Sequence, residues 1–223
     1  MQNDVPVLMF HSLQFDPNNP EDDTRIAAET FKEQMAWLYD NGYTTLTMEQ
    51  LYKGIELKTG FPQKSCVLTF DDGYDDFYTN GWPVLKQYGF HATLFMISGF
   101  VGNQRFLSQD QLEDLNKNNV DIEDHTVTHP MLDTLSYNSQ MKELSDSQIY
   151  LTNLTGHSIN YVAYPSGRFN SDTLKILPLL GYQMAFRMSG GWANISDSLY
   201  EVPRVYIGNN LDYVIDGVTK PNR

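Results

Sequence analysis

Short apolar runs and longer stretches of mixed polarity alternate along this chain. The apolar runs are typical of buried strands. They cover residues 5–11, 43–46, 66–72, 92–97, 120–124, 161–164, 184–187 and 202–207. Between them, apolar residues recur three and four positions apart, as in Phe31, Met35 and Leu38, which predicts amphipathic helices. The predicted helices cover residues 30–40, 47–57, 82–88, 108–118, 138–154 and 171–180.

Polar residues and glycines mark where these helices begin and end. A Ser or Thr followed three residues later by Glu or Gln forms a capping box, which satisfies backbone N–H groups at a helix start. Such pairs are Thr30–Glu33, Thr47–Gln50 and Ser108–Gln111. Gly42, Gly89 and Gly181 each end a helix and lead into a strand, where glycine supplies a left-handed turn. The chain is therefore expected to repeat a strand–helix unit.

The alternation of strands and helices predicts a parallel sheet covered by helices. With about seven or eight strands, we predict an α/β fold, a distorted (β/α) barrel. No linker or low-complexity segment interrupts it, which predicts a single domain over residues 1–223. Sites in such barrels lie at the carboxyl ends of the strands. The candidate functional residues follow strands in that way, namely His11, Asp71, Asp72, His125 and residues 165–167.

The charge of the chain limits its partners. The 223 residues carry a formal net charge of −13, which argues against binding nucleic acid or an anionic membrane through bulk charge. No apolar run reaches about 18 residues, so no transmembrane helix is expected. The first residues lead into a strand and contain no secretory signal, so we expect either a cytoplasmic protein or one whose signal or anchor precedes this sequence. The single cysteine, Cys66, permits no internal disulfide.

Two adjacent carboxylates, Asp71 and Asp72, end the apolar run 66–70. Like charges held together at the exit of a buried strand repel each other, so their pKa values shift and a compensating cation is needed. Successive strand residues point to opposite sides, which allows one carboxylate to bind a metal while the other stays free as a base. The alternative is a polar cap before a turn, and residues 68–73 alone do not decide between the two.

The second candidate motif is His125-Thr-Val-Thr-His129. In an extended strand its two histidines would lie roughly 13 Å apart, too far for one metal. The β-branched residues between them disfavour a regular helix and Pro130 follows, so we expect a tight turn at a strand end. An isolated motif of this kind is often coincidental. Together with one carboxylate, however, two imidazoles give three ligands and leave room for water, as in a catalytic metal site.

These motifs resemble those of the polysaccharide deacetylases, the NodB-homology group of carbohydrate esterase family 4. The segment Thr69–Gly73 resembles the first motif of the family, His125–His129 the second, and Tyr164–Gly167 a variant of the third. The segment Val7–His11 is similar to the opening of the branch that deacetylates poly-N-acetylglucosamine, in which the catalytic histidine lies near the N-terminus. The resemblance covers nearly the whole chain and implies a distorted barrel of the NodB type.

The resemblance also implies a role for individual residues. Asp72, His125 and His129 would bind a divalent metal ion, zinc in the first place, with cobalt, nickel or manganese as alternatives. Asp71 would be the general base that takes a proton from the attacking water. His11 would protonate the leaving amine nitrogen, since an amide nitrogen leaves poorly as its anion.

The third motif and a later loop supply the remaining candidates. A backbone N–H at Ser166, together with the metal, would hold the developing oxyanion. Pro165 and Tyr164 are candidates for contact with substrate. Trp192 follows two glycines and is a candidate for stacking on a sugar ring from a mobile rim loop, and the alternative, preferred for any single aromatic residue, is a place in the core.

The chain departs from the family pattern in its third motif. Many members carry an arginine there that supports the base, and this chain has Ala163 at that position. Arg204 is our candidate for a replacement, and Arg168 and Arg187 are the competitors.

We therefore predict a metal-dependent hydrolase that removes acetyl groups from an N-acetylglucosamine-containing polysaccharide, such as poly-N-acetylglucosamine, peptidoglycan or a chitin-like polymer. One alternative is an O-acetyl esterase acting on xylan or another O-acetylated glycan, which would depend less on His11. Another is a non-catalytic carbohydrate-binding protein on the same fold. We expect a monomer whose partner is an acetylated glycan rather than nucleic acid. An extracellular or cell-surface location is expected, with a cytoplasmic one left open.

Overall fold

Strands and helices alternate through residues 1–22 and 24–221, the part of the chain that the computed structural model describes. The strands are β1 (Asp4–Val5), β2 (Val7–Phe10), β3 (Thr44–Thr45), β4 (Ser65–Asp72), β5 (Ala92–Met96), β6 (Val120–Asp124), β7 (Tyr161–Ala163), β8 (Met184–Phe186), β9 (Ala193–Asn194) and β10 (Val205–Tyr206). The α-helices are α1 (Ala28–Asp40), α2 (Met48–Glu56), α3 (Trp82–Tyr88), α4 (Gln109–Asn116), α5 (Tyr137–Thr155), α6 (Ser171–Leu180) and α7 (Leu211–Thr219).

The main sheet is parallel, with the strand order β10, β2, β4, β5, β6, β7, β8, and β3 pairs with the beginning of β4. In its centre, Phe70 of β4 lies opposite Phe10 of β2 and Leu94 of β5. Because the strands are parallel, their carboxyl ends lie at one end of the sheet. The residues that follow β2, β4, β6 and β7 are therefore brought to the same region.

The segment 202–206 connects the two edges of this sheet. Val202 forms a parallel bridge with Phe186 of β8, and three residues later Val205 of β10 pairs with Leu8 of β2. The predicted α/β barrel of seven or eight parallel strands is confirmed by this arrangement. The continuous strand predicted over 202–207 is shorter, because Pro203 has no N–H to donate to a ladder.

Side chains of β4 alternate between the two faces of the sheet. Phe70 packs in the larger hydrophobic cluster, where it contacts Phe31 of α1 edge to face. Val67 belongs instead to a smaller cluster that includes Phe95. Two positions apart on a strand share a face, so Asp71 lies on the same face as Val67, away from the helices that cover Phe70.

Helix boundaries follow the predicted signals with one exception. The capping boxes Thr47–Gln50 and Ser108–Gln111 are both formed. The three helix-ending glycines have left-handed φ angles, 74° at Gly42, 67° at Gly89 and 80° at Gly181, as predicted. Backbone conformations that are costly for other residues thus end these helices and start the next strands.

The exception is the first helix. Its predicted capping box at Thr30–Glu33 is wrong, because α1 begins at Ala28 and its N-cap, Ala27, forms no side-chain cap. The Ala27 N–H donates instead to the side chain of Asn209 at 2.8 Å, so a contact distant in sequence anchors this end of the helix. Helix α7 and the antiparallel pair of β1 with β9 were also not predicted. Among the described residues, no helix has both the length and the apolar composition needed to cross a bilayer.

Candidate active site

Asp71 is the buried carboxylate at the carboxyl end of β4, with 2% of its surface exposed. The guanidinium of Arg204 donates two parallel hydrogen bonds to it, from Nη1 to Oδ1 and from Nη2 to Oδ2, each 2.7 Å long. Bidentate pairs of this kind are short, strong and fixed in orientation. Arg204 therefore supplies a compensating positive charge for the two adjacent aspartates. Its described hydrogen bonds go to Asp71 and not to Asp72.

Arg204 is itself held on several sides. Its Nε donates to the carbonyl of Arg187 at 2.9 Å, and its Nη1 also donates to Oγ1 of Thr69 at 3.2 Å. Its guanidinium carbon lies 5.5 Å from the ring centroid of Phe95. The arginine is thus fully engaged in supporting Asp71 and has little freedom to reorient.

The competing arginines lie elsewhere. Arg168 forms an exposed ion pair with Asp133 at 2.7 Å. Arg187 offers its backbone carbonyl to Arg204, and its own buried Nε has no hydrogen-bond partner among the described residues. Neither side chain contacts Asp71 in the described hydrogen bonds and ion pairs.

Opposing effects act on the pKa of Asp71. Burial raises the pKa of this carboxyl, but the charges of Arg204 and His125 and the hydrogen bonds from Arg204, with a smaller contribution from His11, outweigh burial and lower the pKa to about 2. Asp71 is therefore ionised at neutral pH despite its burial. A carboxylate in this state can accept a proton.

Asp72 faces the two histidines of the second motif. Its Oδ1 lies 3.5 Å from Nε2 of His125 and 3.6 Å from Nε2 of His129. Asp72 has a left-handed φ of 73°, so its backbone departs from strand geometry at this residue. Ligand atoms of the three residues lie within 4.8 Å of one another. In regular strand geometry Asp72 would point to the face opposite Asp71, so the left-handed backbone at Asp72 contributes to its direction toward the two histidines.

Protonation of these three residues is coupled. Burial raises the pKa of Asp72, but its contact with His125 outweighs burial and lowers it. Burial lowers the pKa of His125, but Asp72 and Asp71 outweigh burial and raise it. The pKa of His129 is lowered, first by burial and then by the charge of His125. The two carboxylates thus favour a proton on His125, whereas burial and the charge of His125 disfavour one on His129.

The donor set fits a divalent metal ion. Nδ1 of the buried His125 lies 2.7 Å from the carbonyl of Ala163, which fixes the ring and leaves Nε2 directed at Asp72. Two imidazole nitrogens and one carboxylate oxygen converge, which is a known ligand set for a metal that keeps open positions. Asp72, His125 and His129 are brought together as the sequence predicted.

His11 follows β2 at the same end of the barrel. Phe10 lies opposite Phe70, so His11 follows at the level of Asp71, and its charge is close enough to lower the pKa of Asp71 and Asp72. His11 is half-buried. The predicted proximity of His11 to the aspartate pair is therefore present.

A buried acid that was not predicted holds the loop after His11. Asp76 accepts hydrogen bonds from Oγ of Ser12 at 2.6 Å and from the N–H of Leu13 at 2.8 Å. Burial raises the pKa of Asp76 in spite of these two donors. No pattern in the sequence distinguishes Asp76 from the neighbouring Asp75, because its partners lie more than 60 residues away in the chain.

The third motif forms a turn directly after β7. Ser166 is exposed and has a left-handed φ of 55°, and Pro165 before it is buried. Tyr164 is fully buried, donates its hydroxyl to the carbonyl of Tyr200 at 2.8 Å and stacks on Phe169. The expectation that Tyr164 contacts substrate through its ring is therefore wrong, because packing leaves no ring surface free. Its ring supports the turn that carries Ser166.

Trp192 takes the core alternative rather than a position on a rim loop. Its Nε1 donates to the carbonyl of Gly217 in α7 at 2.7 Å, and its ring packs against the larger hydrophobic cluster. These contacts fix the side chain rather than leave it on a mobile rim. An open pocket beside Arg204 is lined by Tyr206 and Tyr213 instead, and Tyr213 is 39% exposed. Neither of these two aromatic residues was predicted from the sequence.

An ionised carboxylate held by arginine, beside an Asp–His–His group at the strand ends of a (β/α) barrel, is the arrangement of a hydrolase that activates water. The polysaccharide deacetylase family matches residues 58–185 of the chain. The Bacillus subtilis (strain 168) protein YxkH, whose name places it among the polysaccharide deacetylases, is 34% identical over 207 residues, which cover 93% of this chain and 72% of that protein. The chain therefore belongs to the polysaccharide deacetylase family.

Two further relatives are similar over most of their length. The poly-β-1,6-N-acetyl-D-glucosamine N-deacetylase of Staphylococcus aureus (strain MRSA252) is 30% identical over 202 residues, covering 83% of this chain and 68% of that protein. The structure of the Streptococcus pyogenes deacetylase PplD in complex with acetate superposes with a TM-score of 0.91 at 28% identity, covering 98% of this chain and 99% of that one. Family membership supports hydrolase activity on a polysaccharide and agrees with the resemblance noted in the motifs.

Proposed function

We propose that this protein is a metal-dependent hydrolase that removes acetyl groups from an N-acetylglucosamine-containing glycan. The observation that carries the proposal is the separation of the two adjacent aspartates. Asp71 is held ionised by Arg204, while Asp72 is grouped with His125 and His129. One carboxylate is thus available as a base and the other as a metal ligand.

Asp72, His125 and His129 would hold the metal ion, with zinc as the first candidate and cobalt, nickel or manganese as alternatives. When bound, a divalent ion supplies Lewis-acid chemistry, since it lowers the pKa of water and polarises a carbonyl. The hydrogen bond between His125 and Ala163 orients the ring toward the other two ligands.

Asp71 would accept the proton of the attacking water. Its carboxylate is oriented by the Arg204 fork and ionised at neutral pH, so it needs no prior deprotonation. The same arginine restrains its position, which matters because proton transfer requires hydrogen-bond distance. After transfer, the protonated Asp71 can return the proton toward the reaction products.

His11 would give a proton to the amine nitrogen as the carbon–nitrogen bond breaks. Its place at the end of β2, beside Asp71, is on the side of the site opposite the histidine turn after β6. The backbone N–H of Ser166, on its exposed left-handed turn, would donate to the developing oxyanion. Base, acid and oxyanion donor then come from three different strand ends.

The amide substrate is supported by the names of the relatives. The Staphylococcus aureus relative is named for N-deacetylation of poly-β-1,6-N-acetyl-D-glucosamine. The Streptococcus pyogenes deacetylase was solved with acetate, which supports deacetylation in general, because acetyl amides and acetyl esters both release it. For sugar contact, we propose the exposed ring of Tyr213 in the pocket beside Arg204. A net charge of −13 is compatible with a neutral glycan.

The test is acetate release from a panel of substrates by the metal-loaded protein. The panel contains β-1,6-linked N-acetylglucosamine oligomers, chitin oligomers, peptidoglycan and acetylxylan. Release from one or more of the N-acetylated substrates, abolished by a chelator and restored by metal, is the expected result. Release from acetylxylan alone would favour the O-acetyl esterase, and no release from any of them would favour a glycan-binding protein.

A further inference from the structure

The turn between the two candidate metal-binding histidines is strained. Thr126 has a φ of 68° and His129 a φ of 59°, both in the left-handed region. This conformation is a genuine outlier for a β-branched residue such as Thr126, and it persists only where surrounding contacts impose it. The turn sets how closely His129 approaches His125, so whatever holds it also determines the geometry of the three ligands.

One side chain from a helix binds the outer side of this turn. Oε2 of Glu143, on α5, accepts the backbone N–H groups of Val127 at 3.0 Å and Thr128 at 2.9 Å, and its Oε1 accepts the hydroxyl of Thr128 at 2.9 Å. Hydrogen bonds to a carboxylate are stronger than those between neutral groups. Glu143 therefore satisfies three donors in the two residues that immediately precede His129.

The same helix also fixes the beginning of the motif. Ser147, one turn after Glu143 on α5, donates its hydroxyl to Oδ1 of Asp124, the residue before His125. The same carboxylate oxygen accepts the N–H of Thr126 at 2.8 Å. Residues four apart on a helix share a face. One face of α5 thus holds both ends of the histidine turn.

Contacts within the turn carry this restraint to the second histidine. The N–H of His129 donates to Oγ1 of Thr126 at 3.1 Å, and the N–H of Gly99 donates to the carbonyl of Val127 at 3.0 Å. His129 is less buried than His125, with 32% of its side chain exposed. Packing alone fixes it less firmly, so it depends more on the backbone that Glu143 holds.

We propose that Glu143 is a positioning residue for the metal site. It fixes the Val127–Thr128 backbone and thereby places the imidazole of His129 where it can share a metal ion with His125 and Asp72. The inference rests on the proposed metal site and adds a residue that none of the sequence motifs contains. Glu143 itself touches neither the ligand group nor the catalytic residues.

The test measures the affinity for Co²⁺ by competition with a chelator of known affinity, using the full chain. Glu143→Ala should weaken Co²⁺ binding about 10–100-fold, the usual effect of losing an outer partner of a metal ligand. Glu143→Gln keeps the volume, and its carbonyl oxygen can still accept the two backbone N–H groups while its NH₂ donates to the Thr128 hydroxyl, so a smaller loss is expected. If the alanine variant does not fold, the Co²⁺ affinity of Glu143→Gln is compared with that of the wild type instead.

Asp146→Asn is the matched control. Asp146 lies on the same helix, is exposed and pairs only with Lys142 among the described residues, so Co²⁺ affinity should stay within about twofold of the wild type. Thermal unfolding of each metal-free variant separates positioning from stability. A purely structural role for Glu143 would lower the unfolding temperature and leave the affinity of the folded protein unchanged.

Two outcomes would overturn different claims. Unchanged Co²⁺ affinity in folded Glu143→Ala or Glu143→Gln would remove the positioning role while leaving the metal site in place. A wild-type protein that binds no Co²⁺ would overturn the metal site and, with it, the metal dependence of the proposed function.

Discussion

At the scale of single residues, neighbours rather than residue type distinguish the two aspartates of β4. Asp71 receives two hydrogen bonds from Arg204, whereas Asp72 is turned by its left-handed backbone toward two imidazoles. Two carboxylates in one environment would share protons and act as a pair. Here the environments differ, so separate roles can be assigned and tested separately.

Replacing Asp71 with Asn should preserve metal binding and lower turnover by roughly 10²–10⁴-fold, because an amide cannot take a proton from water. Acetate release and bound metal would be measured on the same samples. Asp72→Asn is the matched control, and in contrast to Asp71→Asn it should weaken metal binding. Full activity of Asp71→Asn at saturating metal would mean that Asp71 is not the base.

Replacing Arg204 with Met should move the acid limb of kcat/KM to higher pH. In the wild type the pKa of Asp71 is lowered to about 2, so this group stays ionised through mildly acid pH. Without Arg204, burial acts with less opposition and raises the pKa, so the base is protonated at higher pH, by about one pH unit or more. The pH dependence of kcat/KM on a neutral acetylated substrate measures this shift.

Arg168→Met is the control for the arginine variant, since it removes only an exposed ion pair with Asp133. Its acid limb should match that of the wild type.

The ion pair between Asp71 and Arg204 also makes the free energy of unfolding depend on pH. Its contribution is present above the unfolded pKa of about 3.9 and is lost as pH falls through about 2. An Arg204→Met protein with an unshifted acid limb would contradict the assigned support.

At the scale of elements, local patterns located the strand ends, whereas the arginine that supports Asp71 could be predicted only as one of three candidates, of which Arg204 is confirmed. The change from apolar to polar residues at 70–72 and the turn at 125–129 are local patterns, so the sequence located Asp71, Asp72, His125 and His129 on the correct elements. The pairing of Arg204 with Asp71 spans 133 residues and exists only because the barrel pairs β10, which Arg204 precedes, with β2, the neighbour of β4. Short-range periodicity contains no information on such a contact.

Aromatic residues show the same limit. Tyr164 and Trp192 were candidates for substrate contact because of their type and their neighbours in sequence. In the structure, contacts with the rest of the fold hold both side chains. Trp192 donates to a carbonyl of α7, a helix that was not predicted. Gly217 inside α7 is a weak helix former, which lowers the local signal for a helix that tertiary contacts stabilise.

The proposed role of His11 tests the arrangement of the strands, because His11 reaches the site only if β2 lies beside β4. His11→Ala should slow deacetylation of an N-acetyl substrate roughly 10²–10⁴-fold, since the leaving nitrogen then lacks its proton donor. Hydrolysis of an activated aryl acetate should fall far less, because that leaving group needs no proton. Both rates would be measured at equal metal content. Equal losses on the amide and the ester would assign His11 to structure or substrate binding instead.

At the scale of the whole molecule, the candidate metal site links separate parts of the sheet. Asp72 ends β4 and His125 follows β6, with β5 lying between these two strands. An unfolded chain would not keep these ligands within 4.8 Å of one another, so a metal ion bound there stabilises the folded state selectively. Metal affinity and global stability should therefore change together.

Adding Zn²⁺ or Co²⁺ to the chelator-treated protein should raise its unfolding temperature. At a free metal concentration 1,000 times Kd the gain is about 4 kcal/mol, which corresponds to roughly 8–16 °C for a chain of this size. Differential scanning calorimetry with increasing metal measures the shift. His129→Ala should lose most of it, whereas Asp71→Asn should retain it, because Asp71 lies outside the ligand group. An equal shift in wild type and His129→Ala would mean that the stabilising ion binds at a different site.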